Sequence, residues 1–128
     1  MKRNLIIMFG IVLLLLLVAC GGNKVDDSTA EKYITQAEEI IGFLNESNYE
    51  EVYAMFDDDM KVGLPLANME ELTPIIEESG SFEEIDKASV EEEDGLYLTV
   101  LVAKYSHKNR VFTIYFNDDA EVAGLFIK

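Results

Sequence analysis

The chain has 128 residues and carries 25 acidic against 10 basic residues, which gives a formal net charge of −15. Such an acidic protein repels nucleic acid, so we expect no nucleic-acid partner. Its single cysteine excludes an internal disulfide and a thiolate metal site, so the fold must be held together by its hydrophobic core.

The first residues combine a basic start with an apolar run. Lys2 and Arg3 precede residues 5–19, which are apolar throughout apart from Gly10. A helix that spans a bilayer needs roughly 20 apolar residues, and this run fits better the apolar region of about 7–15 residues in a secretory signal peptide. Ala19 and Cys20 end the run, and polar sequence follows at once.

This arrangement resembles a bacterial lipoprotein signal peptide with its lipobox. The resemblance implies cleavage between Ala19 and Cys20, a diacylglyceryl group on the Cys20 sulfur, and anchoring on the outer face of the cytoplasmic membrane. Two acyl chains hold a protein stably on a membrane, whereas one binds only marginally. The alternatives are an uncleaved signal anchor, or an ordinary signal peptide with an accidental cysteine.

The resemblance divides the chain into a signal peptide (1–19), a lipidated cysteine with a short tether (20–27) and one domain (28–128). Cleavage would remove two basic residues and no acidic one, leaving a net charge of −17. The seven residues that follow Cys20 span at most about 25 Å when fully extended. The domain is therefore expected to stay close to the membrane.

Helical signals fill the first half of this domain. Ser28 with Glu31, and Ser47 with Glu50, have the spacing of capping boxes and predict two helix starts. Apolar residues follow both starts at helical intervals. The second helix is predicted to end at 57–59, which are three aspartates, and residues 60–67 are predicted to form a connector.

A third helix is predicted over residues 68–79. Pro74 lies inside it and removes a backbone donor, so we expect a bent or two-piece helix. Gly80 is its predicted stop.

From Ser81 onward the apolar period changes to two, which is typical of strands. Asp94-Gly95 is a strong hairpin signal. The predicted strands cover 82–92, 96–106, 110–117 and 121–127. Helices followed by four antiparallel strands predict an α+β fold, with N-terminal helices packed on one face of a meander.

Three segments resemble a domain-of-unknown-function family: residues 43–57 (FLNESNYEEVYAMFD), Gly80 before a strand that begins with Phe82, and residues 122–127 (VAGLFI). That family occurs in Gram-positive lipoproteins and ahead of α/β-hydrolase domains. The resemblance covers roughly residues 30–128 and implies a curved, cystatin-like cone similar to nuclear transport factor 2. Its pattern contains no catalytic residues, so none is carried over.

The residues give little support for catalysis or metal binding. The chain has no G-x-S-x-G motif, and its only histidine, His107, stands beside Ser106 in a predicted hairpin turn. The aspartates at 57–59 and 118–119 lack the spacing of a calcium-binding EF-hand, so they are interpreted as a helix end and a β-turn. We therefore predict no catalytic residues, no metal site and no cofactor.

One face of the predicted sheet is a candidate interaction surface. The opposite face, with Leu98, Val100 and Phe112, is purely apolar and is expected to be the core. If that face forms the core, the residues of the other face point outward as an apolar patch. Such patches often mark partner surfaces. A loop or the first helix could instead cover this patch, whose residues are Tyr97, Leu101, Tyr105, Val111 and Tyr115.

Two functions follow from the sequence. The first is a membrane-tethered, non-catalytic interaction module whose partner is another protein or a second copy. The second is a small-ligand carrier or enzyme that uses a pocket between the helices and the sheet. A deep pocket with a buried carboxylate favours the second, and a filled core with an open tyrosine face favours the first. The sequence names no ligand for either function.

Overall fold

In the computed structural model, which describes residues 23–128, a two-residue edge strand and then the helices precede the four main strands of an antiparallel sheet, and the helices pack on one face of this sheet. This confirms the predicted α+β class. The helical half contains α1 (Asp27–Asn45), α2 (Tyr49–Tyr53), α3 (Asp58–Gly63), a 3-10 helix (Leu66–Leu72) and α4 (Thr73–Ser79). The strands are β1 (Asn23–Lys24), β2 (Phe82–Glu93), β3 (Leu96–Tyr105), β4 (Asn109–Phe116) and β5 (Val122–Ile127).

Helix α1 is the main helix that packs on the sheet. Its N-cap position is occupied by Asp26, and Ser28 lies in the first turn and donates a hydrogen bond to the Asp26 carboxylate at 2.9 Å. The apolar residues recur at intervals of three and four, so they share one face of the helix. This face is buried against the sheet through Tyr33, Ala37, Ile40, Ile41 and Leu44.

The three aspartates at 57–59 begin a helix, and the prediction that they end one was wrong. Helix α2 stops at Tyr53, and Asp57 is the N-cap residue of α3, where its side chain accepts a hydrogen bond from the Met60 N–H at 2.8 Å. Carboxylates are stabilised at helix N-termini, because the unpaired backbone N–H groups there carry partial positive charge. Most of the predicted connector 60–67 is therefore taken up by α3 and the start of the 3-10 helix.

The predicted two-piece helix around Pro74 is confirmed. The 3-10 helix runs into α4 at Thr73, and Pro74 occupies the first turn of α4, where a missing N–H costs nothing. Gly80 ends α4 with φ 94°, a left-handed value that favours glycine. A Cβ at this position would also collide with Ser106 and His107, so Gly80 lets α4 approach the β3–β4 turn.

The sheet is an antiparallel meander in which each strand pairs with the next one in sequence. The hairpin between β2 and β3 turns at Asp94 and Gly95, both with positive φ, as a type I′ turn requires. The two-residue strand β1 adds to the edge of the predicted four strands, where Asn23 and Lys24 pair with Glu92 and Glu91.

Hydrogen bonds join the helical half of the chain to β5 and to the turn before it. Val122 donates its N–H to the Met55 carbonyl at 2.7 Å, and its own carbonyl accepts from the Asp57 N–H at 2.9 Å. Gln36 on α1 reaches the turn before β5, where its amide donates to the Ala120 carbonyl at 2.8 Å. These bonds fix the helical layer to the sheet at its β5 side.

Candidate interaction surface

The structure places three of the five predicted interface residues on the inner face of the sheet. Leu101 and Tyr105 are buried, with 0% and 4% of their surface exposed, and Tyr97 is half-buried against the core. The inner face of β4 carries Phe112, Ile114 and Phe116, all fully buried. The prediction that Tyr97, Leu101 and Tyr105 point outward was therefore wrong, whereas Val111 and Tyr115 do lie on the outer face.

The error comes from the pairing register across the β3–β4 turn. The predicted patch places Leu101 and Tyr115 on the same face, whereas in the structure Leu101 lies opposite Phe112 and Lys104 lies opposite Asn109. Side chains alternate between the two faces of a strand, so an odd shift in register brings one predicted inner face together with one predicted outer face. The core consequently contains the predicted inner face of β4 together with the predicted outer face of β3.

The opposite side of the sheet is a largely apolar surface, which we call the outer sheet face. Its central residues are half-exposed, and Phe126 is 58% exposed. None of them belongs to the core cluster that the helices form with the sheet. The outer sheet face consists of Leu98, Val100, Val102, Val111, Thr113, Tyr115 and Phe126.

Two aromatic residues organise one side of this face. Tyr115 lies opposite Gly124 on β5, and its ring packs edge-on against Phe126 with 6.2 Å between centroids. A Cβ on Gly124 would stand 3.1 Å from the Tyr115 ring, so the glycine makes room for the tyrosine to lie across the strand. The aromatic pair therefore presents an apolar area on the β5 side of this face.

Sequence reasoning missed Leu98, Val100, Val102 and Phe126 as surface residues. A signal was available for the three on β3, because Lys104 shares their face and is a poor core residue. On β4 the charged residue is misleading, because it lies on the inner face. Arg110 shares the inner face with Phe112, and its guanidinium is held there by Ser79 and the Ile75 carbonyl at 2.6 and 3.2 Å.

Tyr105 is a structural residue that joins the sheet to α1. Its hydroxyl donates to the side-chain oxygen of Asn45, the last residue of α1, at 2.5 Å. Burial raises the pKa of Tyr105 to about 12. The phenol therefore stays neutral and acts as a hydrogen-bond donor.

A second tyrosine pair lies at the other end of the inner face. The rings of Tyr33 and Tyr97 stack with 4.6 Å between centroids. Burial raises the pKa of both phenols, and the neighbouring Asp118 adds to this effect in each case. Both phenols therefore ionise at a higher pH than an ordinary tyrosine, chiefly because they are buried.

A groove runs between α1 and β2. Its volume is about 600 Å³. Its floor is apolar and its rim carries three carboxylates. No carboxylate among residues 24–128 is buried, so the groove does not have the buried carboxylate that would favour a ligand pocket. The groove is lined by Glu38, Ile41, Gly42, Asn45, Glu46, Phe82, Glu84 and Ile85.

His107 and the aspartates at 118–119 lie in turns between strands of the sheet. His107 is exposed in the β3–β4 turn, where its backbone N–H donates to the Ser79 carbonyl at 2.9 Å. Asp118 and Asp119 form an exposed turn that is held by the Asn117 side chain. Within residues 23–128, no group of three or more potential metal-ligating side chains is arranged to hold an ion.

The predicted cleavage and lipidation site at Ala19 and Cys20 lies outside the residues that the structure describes. Among residues 23–128, no helix combines the length and the apolar character needed to cross a bilayer.

Comparison with known proteins identifies a family and a fold. The family described as "Protein of unknown function (DUF3887)" matches residues 37–125, and no curated protein is significantly similar to the chain. A solved structure, the NMR structure of a protein from Ruminococcus gnavus ATCC 29149, superposes with a TM-score of 0.63 at 20% sequence identity. The match covers 82% of this chain and 96% of that protein, which supports a shared fold.

Proposed function

Because the chain belongs to the DUF3887 family, whose function is unknown, we propose that it is a non-catalytic interaction module tethered to the outer face of the cytoplasmic membrane. The observation that carries this proposal is the outer sheet face. Large exposed apolar surfaces on a soluble domain mark interaction sites, and this one lies on an otherwise strongly acidic chain.

The tether is proposed from the N-terminal sequence. A basic start, a short apolar run and Ala19-Cys20 have the order of a lipoprotein signal. Strand β1 begins at Asn23, three residues after Cys20, and three extended residues reach roughly 10 Å. A lipid on Cys20 would therefore hold the β2 edge of the sheet, where β1 pairs, close to the bilayer.

We also assign the fold to the cystatin-like, nuclear-transport-factor-2-like type. Support comes from the sequence resemblance and from the arrangement of helices on one face of an antiparallel meander. Members of that fold type often have a pocket between helices and sheet, so the groove at α1 and β2 corresponds to their usual ligand position. This correspondence keeps a second function open.

That second function is a small-ligand carrier or enzyme that uses the groove. The apolar floor at Ile41, Phe82 and Ile85 and the carboxylates of the rim favour an amphipathic cation as the ligand. The groove is wide, shallow at Gly42, and contains no buried acid or nucleophile among its lining residues. We therefore rank carriage or catalysis below interaction through the outer sheet face.

The tether is tested by labelling cells that express the full chain with a fatty-acid probe. The wild type should be labelled and processed, and Cys20→Ala should remain an unlabelled precursor. Equal labelling of both chains would refute the lipid anchor.

The interaction surface is tested by photocross-linking. A photoreactive residue at Val100 should yield a cross-linked protein adduct that Thr113→Lys abolishes, because a lysine in the apolar centre opposes docking. The same photoreactive residue at Glu50, which is exposed on α2, serves as the control. Adducts at position 50 but none at position 100 would contradict the proposal.

A further inference from the structure

The basic residues of the domain are concentrated on the outer sheet face. Among the residues that are paired in register and point to this face are four of the eight basic residues after Cys20, but only three of the 25 acidic residues. The rest of the domain is strongly acidic, so this face repels an anionic partner less than the rest of the surface does. The basic residues of the face are Lys24, Lys87, Lys104 and Lys128.

Two of these lysines stand at opposite ends of one row across the sheet. Lys87 pairs with Val102, and Val102 pairs with Val111. Val111 in turn exchanges two backbone hydrogen bonds with Lys128, at 2.9 and 3.0 Å. Directly opposite residues point to the same side of a sheet, so the row is lysine, valine, valine, lysine. Neighbouring strands lie about 4.8 Å apart, which puts the Cα atoms of the two lysines about 14 Å apart.

The three carboxylates of the face are offset by lysines or lie at its end. Glu84 lies 3.7 Å from Lys104, and Glu91 lies opposite Lys24. Glu93 occupies the last position of β2 before the hairpin turn. The two lysines that end the row are exposed, and neither forms a salt bridge with another residue in the described part of the chain. Two further acidic residues lie at the β2 bulges, outside the regular pairing, and these are Glu83 and Asp86.

The apolar part of the face is a strip along β3 and β4 that is bounded on both sides. On β2 the positions that point to this face are polar, with Ser89 between Lys87 and Glu91. On β5 the strip ends at Phe126, beside the exposed Lys128. The strip is therefore two to three strands wide, which is roughly 10–14 Å.

We propose that this strip binds an acidic amphipathic helix of a partner protein, which lies along β3 and β4. An α-helix with its side chains is about 10–12 Å wide, which matches the width of the strip. The apolar side of the helix contacts Val100, Val102 and Val111, as amphipathic helices do when they dock through one face. Carboxylates on its two flanks reach Lys87 and Lys128. The inference rests on the proposed function, because it names the partner of the same surface.

Other occupants fit this face less well. A second sheet would also extend over the polar positions of β2. A bilayer would have to reach the lysine row from the wrong end, because β1 begins at Asn23, opposite Glu92 and close to the hairpin turn. Lys87 lies five residues from Glu92 along β2, which is roughly 17 Å. The lysine row is therefore remote from the end at which a lipid on Cys20 would hold the domain.

Two designed peptides test the chemistry of the partner. Both are fluorescent helices of about 18 residues, roughly 27 Å long, with the same leucine face, and their flanks carry either glutamates or lysines. Each is cross-linked to the full chain, purified in detergent, through a photoreactive residue at Val100. The glutamate peptide should give the higher yield, although the chain is acidic. Lys87→Glu with Lys128→Glu should lower that yield roughly tenfold and raise the yield of the lysine peptide, because attractive contacts become repulsive and repulsive ones attractive.

A matched control carries the same two reversals away from this face. Lys32 lies on α1 and Lys61 on α3, so Lys32→Glu with Lys61→Glu changes the net charge equally and should leave both yields nearly unchanged. Urea melts of the variant reversed at 87 and 128 should match those of the wild type, since both lysines are exposed. A wild type that prefers the lysine peptide, or equal losses in the control and the reversed variant, would overturn the acidic helix as the partner.

The outcomes separate this inference from the proposed function. If position 100 cross-links to a cellular protein but to neither peptide, the acidic helix is overturned and the interaction module stands. If position 100 cross-links in membranes to lipid or to a second copy of the chain, the acidic helix is likewise overturned, and the bilayer or that copy is the occupant. Absence of any adduct at position 100 contradicts both proposals.

Discussion

Leu101 on β3 lies directly opposite Phe112 on β4, and neither side chain is exposed to solvent. This pair stands on the inner face of the sheet, which is covered by α1. Cross-strand pairs are the units that stabilise a sheet, and this one is also part of the core.

Truncating either residue should destabilise the domain strongly. Phe112→Ala is expected to lower the free energy of unfolding by about 3–5 kcal/mol and Leu101→Ala by about 2–5 kcal/mol, because each leaves a cavity in a small core. Urea melts measure both values. Phe126→Ala, which removes a ring that is 58% exposed, should cost less than about 1 kcal/mol. Equal losses at positions 112 and 126 would mean that the inner and outer faces have been confused.

Thr99 offers a stabilising substitution. Its hydroxyl is fully buried on the inner face and has no hydrogen-bond partner within the described part of the chain. A buried unpaired hydroxyl costs roughly 1–3 kcal/mol, so Thr99→Val, which replaces it with a methyl group, should raise the free energy of unfolding by about 1 kcal/mol. Thr113→Val on the half-exposed outer face should have a smaller effect. A destabilised Thr99→Val protein would show that the hydroxyl has a partner.

Arg110 is expected to stabilise the C-terminal end of α4. Its guanidinium donates to Ser79 and to the Ile75 carbonyl, and it lies 3.7 Å from the Glu78 carboxylate. Arg110→Ala removes charge-assisted hydrogen bonds in a largely buried place and should cost about 1.5–3 kcal/mol. Lys108 pairs with the same Glu78 at 3.9 Å but is exposed, so Lys108→Ala should cost less than about 1 kcal/mol. Thermal and urea melts of both variants provide the comparison.

Stability should fall at alkaline pH. The pKa of Tyr105 is raised from its ordinary value of 10.0 to about 12 in the folded domain, chiefly by burial. A phenol whose pKa is raised by folding contributes its full stabilisation below the unfolded pKa and loses it as pH rises through the folded pKa. The free energy of unfolding should therefore decrease between pH 10 and about 12.

Replacing Tyr105 with Phe isolates its share of this decrease. The variant lacks the hydrogen bond to Asn45 and should be less stable at neutral pH, but its stability should fall less steeply from pH 10 to about 12. The remaining slope comes in part from Tyr33 and Tyr97, whose pKa values are also raised. An unchanged slope in urea melts across this range would contradict the burial of the Tyr105 phenol.

The elements of this fold were largely predictable because their signals are local. The Asp94-Gly95 turn, the period change after Ser81 and the interruption at Pro74 all depend on neighbouring residues in the chain. The aspartates at 57–59 were misread because carboxylates both interrupt helices and begin them. In the structure Asp57 begins α3, because its side chain accepts a hydrogen bond from the Met60 N–H.

The candidate surface was only half predictable, because register is not a local property. Strand β3 is apolar on both faces, with Leu98 and Val100 on one and Leu101 and Ala103 on the other. Hydrophobic alternation therefore could not choose its inner side. The Tyr105 hydroxyl bonds to Asn45, which is 60 residues away in sequence, and the groove depends on how α1 lies against β2.

The bridge between Phe56 and Val122 also bears on how late in folding the helical half can be joined to the sheet. It joins the segment after α2 to β5, the last strand in sequence, in a parallel pairing. Contacts between residues so far apart form slowly, since the intervening loop must first be closed. A chain in which β5 has not yet paired cannot form this bridge, so we expect its helical half to be joined to the sheet only late in folding.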